Sequence, residues 1–185
     1  MTLLVLGVAL WGAAHLFKRL APDARARMGE AGKGVVAVLV VAGVVMMVLG
    51  YRGAEVRNLW FPPVWAVHVN NTLMLLAVGL FGVAHSKSRL RARLRHPMLM
   101  GMLCWAIAHL LVNGDLASLI LFGGLGLWSV VEMLILNARD KSYTPWQGGS
   151  TGGDIRLAVI TLAVFAAIAG IHAWIGPWPF PGGAS

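Results

Sequence analysis

Residues 97–124 read PMLMGMLCWAIAHLLVNGDLASLILFGG, two apolar stretches divided by the polar triplet Asn113-Gly114-Asp115. Asparagine, glycine and aspartate favour tight turns, and Pro97 suits the first turn of a helix, where its missing N–H costs no hydrogen bond. A helix crosses about 30 Å of hydrocarbon with about 20 apolar residues. The stretch therefore predicts a tight hairpin of two membrane-crossing helices, over residues 98–112 and 116–137.

The rest of the chain has the same apolar character. Hydrophobic residues make up 58% of the 185 residues, charged residues make up 12%, and the mean hydropathy is +0.76. A soluble domain carries about a quarter charged residues, so this composition is typical of an integral membrane protein. We expect a single all-α transmembrane domain over residues 1–185. Its bundle of about six helices would comprise residues 3–20, 34–51, 64–85, 98–112, 116–137 and 155–176.

The formal net charge of +8 is concentrated in the connections between these spans. Thirteen of the fifteen Lys and Arg residues follow the first, third and fifth spans, and only Arg52 and Arg57 lie on the other side. The positive-inside rule then predicts that the basic loops lie in the cytoplasm and that both termini lie outside. Because topology and contact with anionic lipid explain the charge, we expect the lipid bilayer as a partner and no nucleic acid.

Histidines are the main candidates for chemistry, because ionisable groups are costly at membrane depth. His109 lies 12 residues beyond Pro97, about 18 Å into its span at helical rise. Trp105 and Asn113 share its helix face at four-residue spacing. This face predicts a cavity lined by an imidazole, an aromatic ring and an amide. His15 lies on a comparable face of the first span.

The remaining histidines have structural explanations as well as functional ones. His85 ends a helix, where an imidazolium complements the helix dipole. His96 precedes a proline as a helix cap, and His172 lies one turn from the outer end of its span, at the membrane interface. Glu132, in the fifth span, is either a buried acid or an ion-pair partner for the cytoplasmic arginines.

Imidazoles that converge in a dry helical bundle bind a metal ion or ligate haem iron. The chain has no CxxCH motif, so a haem would be held non-covalently, as haem b. The lone Cys104 excludes a disulfide framework.

Local motifs resemble the NnrU family of multi-span membrane proteins. The matching residues are, in chain order, His15, Pro62-Pro63, His68, Arg95-His96-Pro97-Met98, Gly101, Trp105-Ala106-Ile107-Ala108-His109-Leu110, Asn113-Gly114-Asp115-Leu116-Ala117-Ser118 and Leu121-Phe122-Gly123. NnrU proteins are associated with nitrite and nitric oxide metabolism, and a plant relative, the zeta-carotene isomerase, is a haem b enzyme. The resemblance implies a protein of the bacterial inner membrane in which His15 and His109 are the axial ligands of haem b.

The resemblance leaves the ligand pair and the substrate open. The isomerase has a cysteine three residues before the second histidine, as an alternative iron ligand, where this chain has Ala106. His15 lies about 8 Å from the cytoplasmic end of its span, whereas His68 matches the depth of His109 better and is the alternative ligand. Redox chemistry needs an open or displaceable axial position. We expect a small gaseous ligand, such as a nitrogen oxide, or a long apolar polyene.

Two other function classes fit the sequence. Arg95-His96-Pro97, followed by Glu132 and Tyr143, resembles the cytoplasmic edge of isoprenylcysteine methyltransferase-type membrane enzymes, which bind S-adenosylmethionine there. A membrane assembly or transport factor without catalysis is the third class. A haem absorption spectrum and thermal stabilisation by S-adenosylmethionine discriminate among the three.

Overall fold

The computed structural model describes residues 1–176 and 178–181, which fold into helices joined by short connections. The helices are α1 (Thr2–Leu20), α2 (Pro22–Arg27), α3 (Ala31–Arg52), α4 (Ala66–Val83), α5 (Leu90–Arg93), α6 (Pro97–Val112), α7 (Leu116–Ser118), α8 (Gly124–Arg139) and α9 (Thr151–Ile175). A π-helical turn, Leu119–Gly123, joins α7 to α8. Because no strand occurs in the described part of the chain, the predicted all-α class is confirmed.

Five helices are long and apolar enough to cross a bilayer: α1, α3, α4, the continuous helix Leu116–Arg139 and α9. The sixth predicted span, α6, is apolar but has 16 residues, a length of about 24 Å. The chain is therefore an integral membrane protein whose apolar helices contact the lipid bilayer.

Helix α9 begins earlier than the sequence predicted. It starts at Thr151 instead of residue 155 because the Ser150 hydroxyl accepts a hydrogen bond from the Gly153 N–H at 3.0 Å. A serine in this position satisfies one of the free amides of the first turn. The cap extends the helix beyond its apolar stretch, toward the basic loops.

The helices pack as two pairs that α8 bridges. Helix α1 lies against α3, helix α4 lies against α6, and α8 contacts both α6 and α1. The α1–α3 contact depends on glycines, because a Cβ at Gly7 would lie 2.7 Å from the Met47 amide nitrogen. Such close approach is typical of helix pairs in lipid, where packing drives association. Helix α9 packs against α4 and leaves most of its surface exposed.

The turn between α6 and α7 is held by contacts from both sides, and the predicted turn between two apolar helices is confirmed. The Trp60 amide donates to the Gly114 carbonyl at 3.1 Å, and this contact leaves no room for a side chain at Gly114. The Asp115 carboxylate accepts hydrogen bonds from the Ser118 N–H at 2.9 Å and the Ser118 hydroxyl at 2.6 Å. Tyr51, near the end of α3, adds a 2.8 Å hydrogen bond to the Ser118 hydroxyl. The hairpin is therefore fastened to α3 and to the preceding loop.

Candidate functional site

His109 is held in a defined orientation near the end of α6. Its Nδ1 lies 3.0 Å from the carbonyl oxygen of Trp105, one turn earlier. Its ring stacks on Phe122, with 4.5 Å between centroids and 26° between planes. Because a carbonyl only accepts, Nδ1 carries the proton, and Nε2 keeps the lone pair that a metal ion or a hydrogen-bond donor requires. The arrangement therefore selects the tautomer that is suited to a ligand.

The π-helical turn Leu119–Gly123 positions Phe122, which the sequence analysis did not single out as a site residue. Phe122 is buried, and its ring contacts Trp105 at 5.0 Å as well as His109. Turns of this kind are frequent at functional sites. The apolar run over residues 119–123 carries no pattern that distinguishes such a turn from an ordinary helix.

A small cleft of about 60 Å³ lies beside His109, between α4, α6 and α9. Its polar lining consists of His109, His172, Asn70 and Asn71. The Asn71 Nδ2 donates to the Pro179 carbonyl at 3.0 Å, so residues after α9 close one side. This volume equals about two water molecules, whereas sites for larger molecules occupy about 300–1,000 Å³. The cleft is therefore small among the described residues.

Asn70, which lines this cleft, has a buried side-chain oxygen without a partner among the described residues. Its Nδ2 donates to the Asn71 Oδ1 at 3.0 Å, while its own Oδ1 is buried and has no partner among the described residues. A buried acceptor without a partner costs about 1–3 kcal/mol. The Asn70 Oδ1 is therefore an unsatisfied polar atom in the packing beside the cleft. The sequence Asn70-Asn71 does not indicate that the side-chain oxygen of Asn70 lacks a partner while that of Asn71 has one.

His15 lies at another level of the bundle. Its Nδ1 is 2.8 Å from the Trp11 carbonyl, and its ring lies 3.9 Å from the Trp11 ring and 5.2 Å from the Trp128 ring. Trp128 follows Phe122, the neighbour of His109, by six residues or about 9 Å along the same helix. His15 and His109 thus have the same tautomer but different aromatic neighbours at different depths.

The other residues of the predicted face on α6, and the alternative ligand His68 on α4, have different surroundings. Trp105 packs against the hydrophobic core, and the Asn113 Nδ2 donates to the His109 carbonyl at 2.8 Å, where α6 ends. His68 is exposed on α4, and its carbonyl accepts a 3.0 Å hydrogen bond from Thr72. Of these four candidates, His109 lines the cleft. His172, which lines it too, is exposed near the end of α9.

At the opposite end of the bundle, Arg95 contacts residues that follow α8, and His96 contacts a residue near the end of α8. The Arg95 Nη2 donates to the Asp140 carbonyl at 2.6 Å, and its guanidinium lies 4.5 Å from the centroid of the Tyr143 ring. The His96 Nε2 lies 2.9 Å from the Asn137 Oδ1. These contacts give both side chains a role in joining the start of α6 to the end of α8.

Glu132 combines the two alternatives that the sequence left open. It is 6% exposed, and its Oε1 accepts a hydrogen bond from the Arg19 Nε at 3.3 Å. Its Oε2 is buried without a partner among the described residues, as is the Nε1 of Trp128 one turn earlier. Glu132 is thus a buried acid that also pairs with a basic residue of α1.

The donor set fits a haem better than a bare metal ion. Within residues 1–176 and 178–181, no group of three or more His, Cys, Asp or Glu side chains that could hold a metal ion occurs. Haem iron needs one or two axial protein ligands, because the porphyrin supplies the others. His109 and His15 each have the tautomer of an axial ligand and lie among aromatic rings. Each of the two residues would fit as a single protein ligand of a haem.

Comparisons with known proteins identify the family of the chain. No curated protein and no solved structure matches the chain. The family model described as NnrU protein matches residues 3–179, which include all six histidines. The match extends over nearly the whole length of the chain, and on this evidence the protein belongs to the NnrU family.

Proposed function

We propose that this NnrU-family protein binds haem b non-covalently in the membrane, with His109 as an iron ligand. The geometry of His109 is the observation that carries the proposal. The Trp105 carbonyl holds Nδ1 and Phe122 holds the face of the ring, so Nε2 is available to iron. The family resemblance makes His15, which has the same bond to its own helix but lies at another level of the bundle, the first candidate for a second ligand, with His68 as the alternative.

The reaction we propose is the handling of a small nitrogen oxide such as nitric oxide. A haem held by a single histidine would supply redox chemistry and the capacity to bind a diatomic molecule. The cleft of about 60 Å³ beside His109 has a mostly apolar lining, which would suit the passage of a small uncharged molecule toward this part of the bundle. The family resemblance keeps isomerisation of an apolar polyene as the second candidate, which the small cleft favours less.

The residues around the cleft would position such a ligand and limit the access of water. Phe122 and Trp105 cover the imidazole of His109 on the bundle side. The Asn70 side chain and the His172 imidazole would provide polar contacts in the lining. These contacts orient a polar end, while the apolar remainder of the lining favours an uncharged molecule.

The absorption spectrum of the purified protein tests the proposal. Protein expressed with a haem supply should show a Soret band that His109→Ala abolishes and that His85→Ala, at the far end of α4, leaves unchanged. Loss of the band in His15→Ala or in His68→Ala identifies a second ligand. Nitric oxide should shift the spectrum of the ferrous protein. Protein that shows no Soret band even after addition of haem would contradict the proposal, as would an unchanged band in His109→Ala.

We also propose a six-span topology in a bacterial inner membrane, with α6 as the shortest span and both termini outside. The basic residues at one end of the bundle support this orientation. Single cysteines in a Cys104→Ser background can be labelled with an impermeant maleimide in intact cells. Val64→Cys, which lies before α4, should react, and Arg27→Cys should react only after lysis. Labelling of Arg27→Cys in intact cells would reverse the assignment.

A further inference from the structure

We propose that a second cleft, at the basic end of the bundle between α4 and α9, binds the headgroup of an anionic phospholipid. This basic cleft is lined by His85 and Lys87 after α4, by Arg156, Leu157 and Ile160 of α9, and by small residues of both segments. Its volume is about 540 Å³, within the usual range of about 300–1,000 Å³ for small-molecule sites. The proposal is independent of haem binding.

The positive charges of the basic cleft lack acidic partners. Lys87 and Arg156 are exposed and form no ion pair within the described part of the chain, and no carboxylate lines the cleft. Asp154 is close in sequence, but it binds Arg89, with its Oδ2 2.6 Å from the Arg89 Nη2. Residues two apart on a helix do not share a face, so Asp154 and Arg156 point in different directions. The cleft is therefore suited to an anion.

The cleft is preformed because the start of α9 is fastened to the segment after α4. The Ser150 amide donates to the Lys87 carbonyl at 3.1 Å, and the Gly153 backbone lies so close to the same carbonyl that no side chain fits there. At Gly82 a Cβ would lie 2.9 Å from the Leu157 Cδ1, so this glycine makes room for the leucine side chain. These contacts set the distance between α4 and α9 and hold the backbone of Lys87 in place.

The apolar part of the cleft selects a lipid over free phosphate. Leu157 is 9% exposed and forms the floor, and Ile160, one turn deeper into the span, is 50% exposed. Cations at the end of the helices and apolar side chains below them match a phosphate group with acyl chains attached. Basic pockets between transmembrane helices are known to bind anionic headgroups. Inorganic phosphate is also an anion, but it has no acyl chains that could contact the apolar side chains of the cleft.

A lipid titration of the detergent-purified full chain tests this site. The protein is titrated with dioleoyl-phosphatidylglycerol, with dioleoyl-phosphatidylcholine or with inorganic phosphate, and the thermal unfolding midpoint is followed. The test variant is Lys87→Gln/Arg156→Gln. The control is Arg27→Gln/Lys141→Gln, which removes the same charge from exposed residues outside the cleft.

Phosphatidylglycerol should raise the unfolding midpoint, and the other two additives should not. A juxtamembrane cation contributes about 5-fold to the binding of anionic lipid, so the double variant should need on the order of 20-fold more phosphatidylglycerol for the same shift. Each single variant should need about 5-fold more, which keeps the test decisive if the double variant folds poorly. Equal responses of the test and control variants would overturn the proposal. Stabilisation by phosphate alone would also overturn it, because it would assign the cleft to a free anion.

Discussion

Gly50→Ala should destabilise the protein relative to Gly34→Ala, although both glycines lie in α3. A Cβ at Gly50 would lie 2.7 Å from the Leu4 Cα and closer still to the Leu4 amide nitrogen, whereas Gly34 has nothing within 4 Å. Because backbone atoms of α1 cannot rotate away, the methyl group must push α1 and α3 apart. The gain in helix propensity, about 0.5–1 kcal/mol, is common to both variants and cancels in the comparison.

The difference between the two variants is therefore the overpacking term, about 1–3 kcal/mol. For a chain of this length, 1 kcal/mol corresponds to about 2–4 °C in Tm, so Gly50→Ala should melt about 2–12 °C below Gly34→Ala. Thermal unfolding in one detergent, followed by far-ultraviolet circular dichroism, measures this difference. If the two variants melt within 1 °C of each other, the close contact of α1 with α3 does not exist as described.

Two further predictions concern hydrogen bonds and charges at opposite ends of the bundle. Ser118→Ala should lower the free energy of unfolding by about 1–3 kcal/mol, because Asp115 loses a buried donor. Tyr51→Phe should lower it by less, since Asp115 keeps its hydrogen bond from Ser118. Equal losses of the two variants in chemical denaturation would argue against this order. Arg19→Met, which removes the ion pair with Glu132, should lower the free energy of unfolding by about 1–2 kcal/mol. This loss is smaller than that for a fully buried ion pair because the arginine side chain is 38% exposed. Adding Glu132→Leu to Arg19→Met should recover stability, since no buried carboxylate remains; a double variant that is less stable than Arg19→Met would contradict this reasoning.

The hairpin of α6 and the following helix illustrates what could be predicted locally. Pro97 begins a helix because its ring fixes φ and its missing amide is not needed there. Asp115 begins the next helix because its carboxylate caps the first turn. Both effects act within a few residues, so the predicted and observed ends agree closely. The π-helical turn that follows was not predicted, because its position depends on how Phe122 packs against Trp105 and His109.

Local sequence patterns predicted only part of the candidate site. The four-residue spacing of Trp105, His109 and Asn113 correctly indicates one helix face, but the three side chains make different contacts around the end of the helix. His172 is 63 positions from His109 in the chain, and its place in the same cleft follows from the packing of α9 on α4. No periodicity within either helix contains that information.

The sequence by itself determined the apolar helices, the turn that separates two of them, the basic loops and the membership of the NnrU family. These properties arise from composition and from interactions between near neighbours along the chain. Only the tertiary structure decided that His109 shares a cleft with His172 and that His15 lies beside Trp128. The physical reason is that lipid is as apolar as the helix surfaces, so hydrophobicity drives a helix into the membrane without choosing its neighbour. That choice depends on close backbone contacts at glycines and on a few buried hydrogen bonds, which form only when distant segments meet.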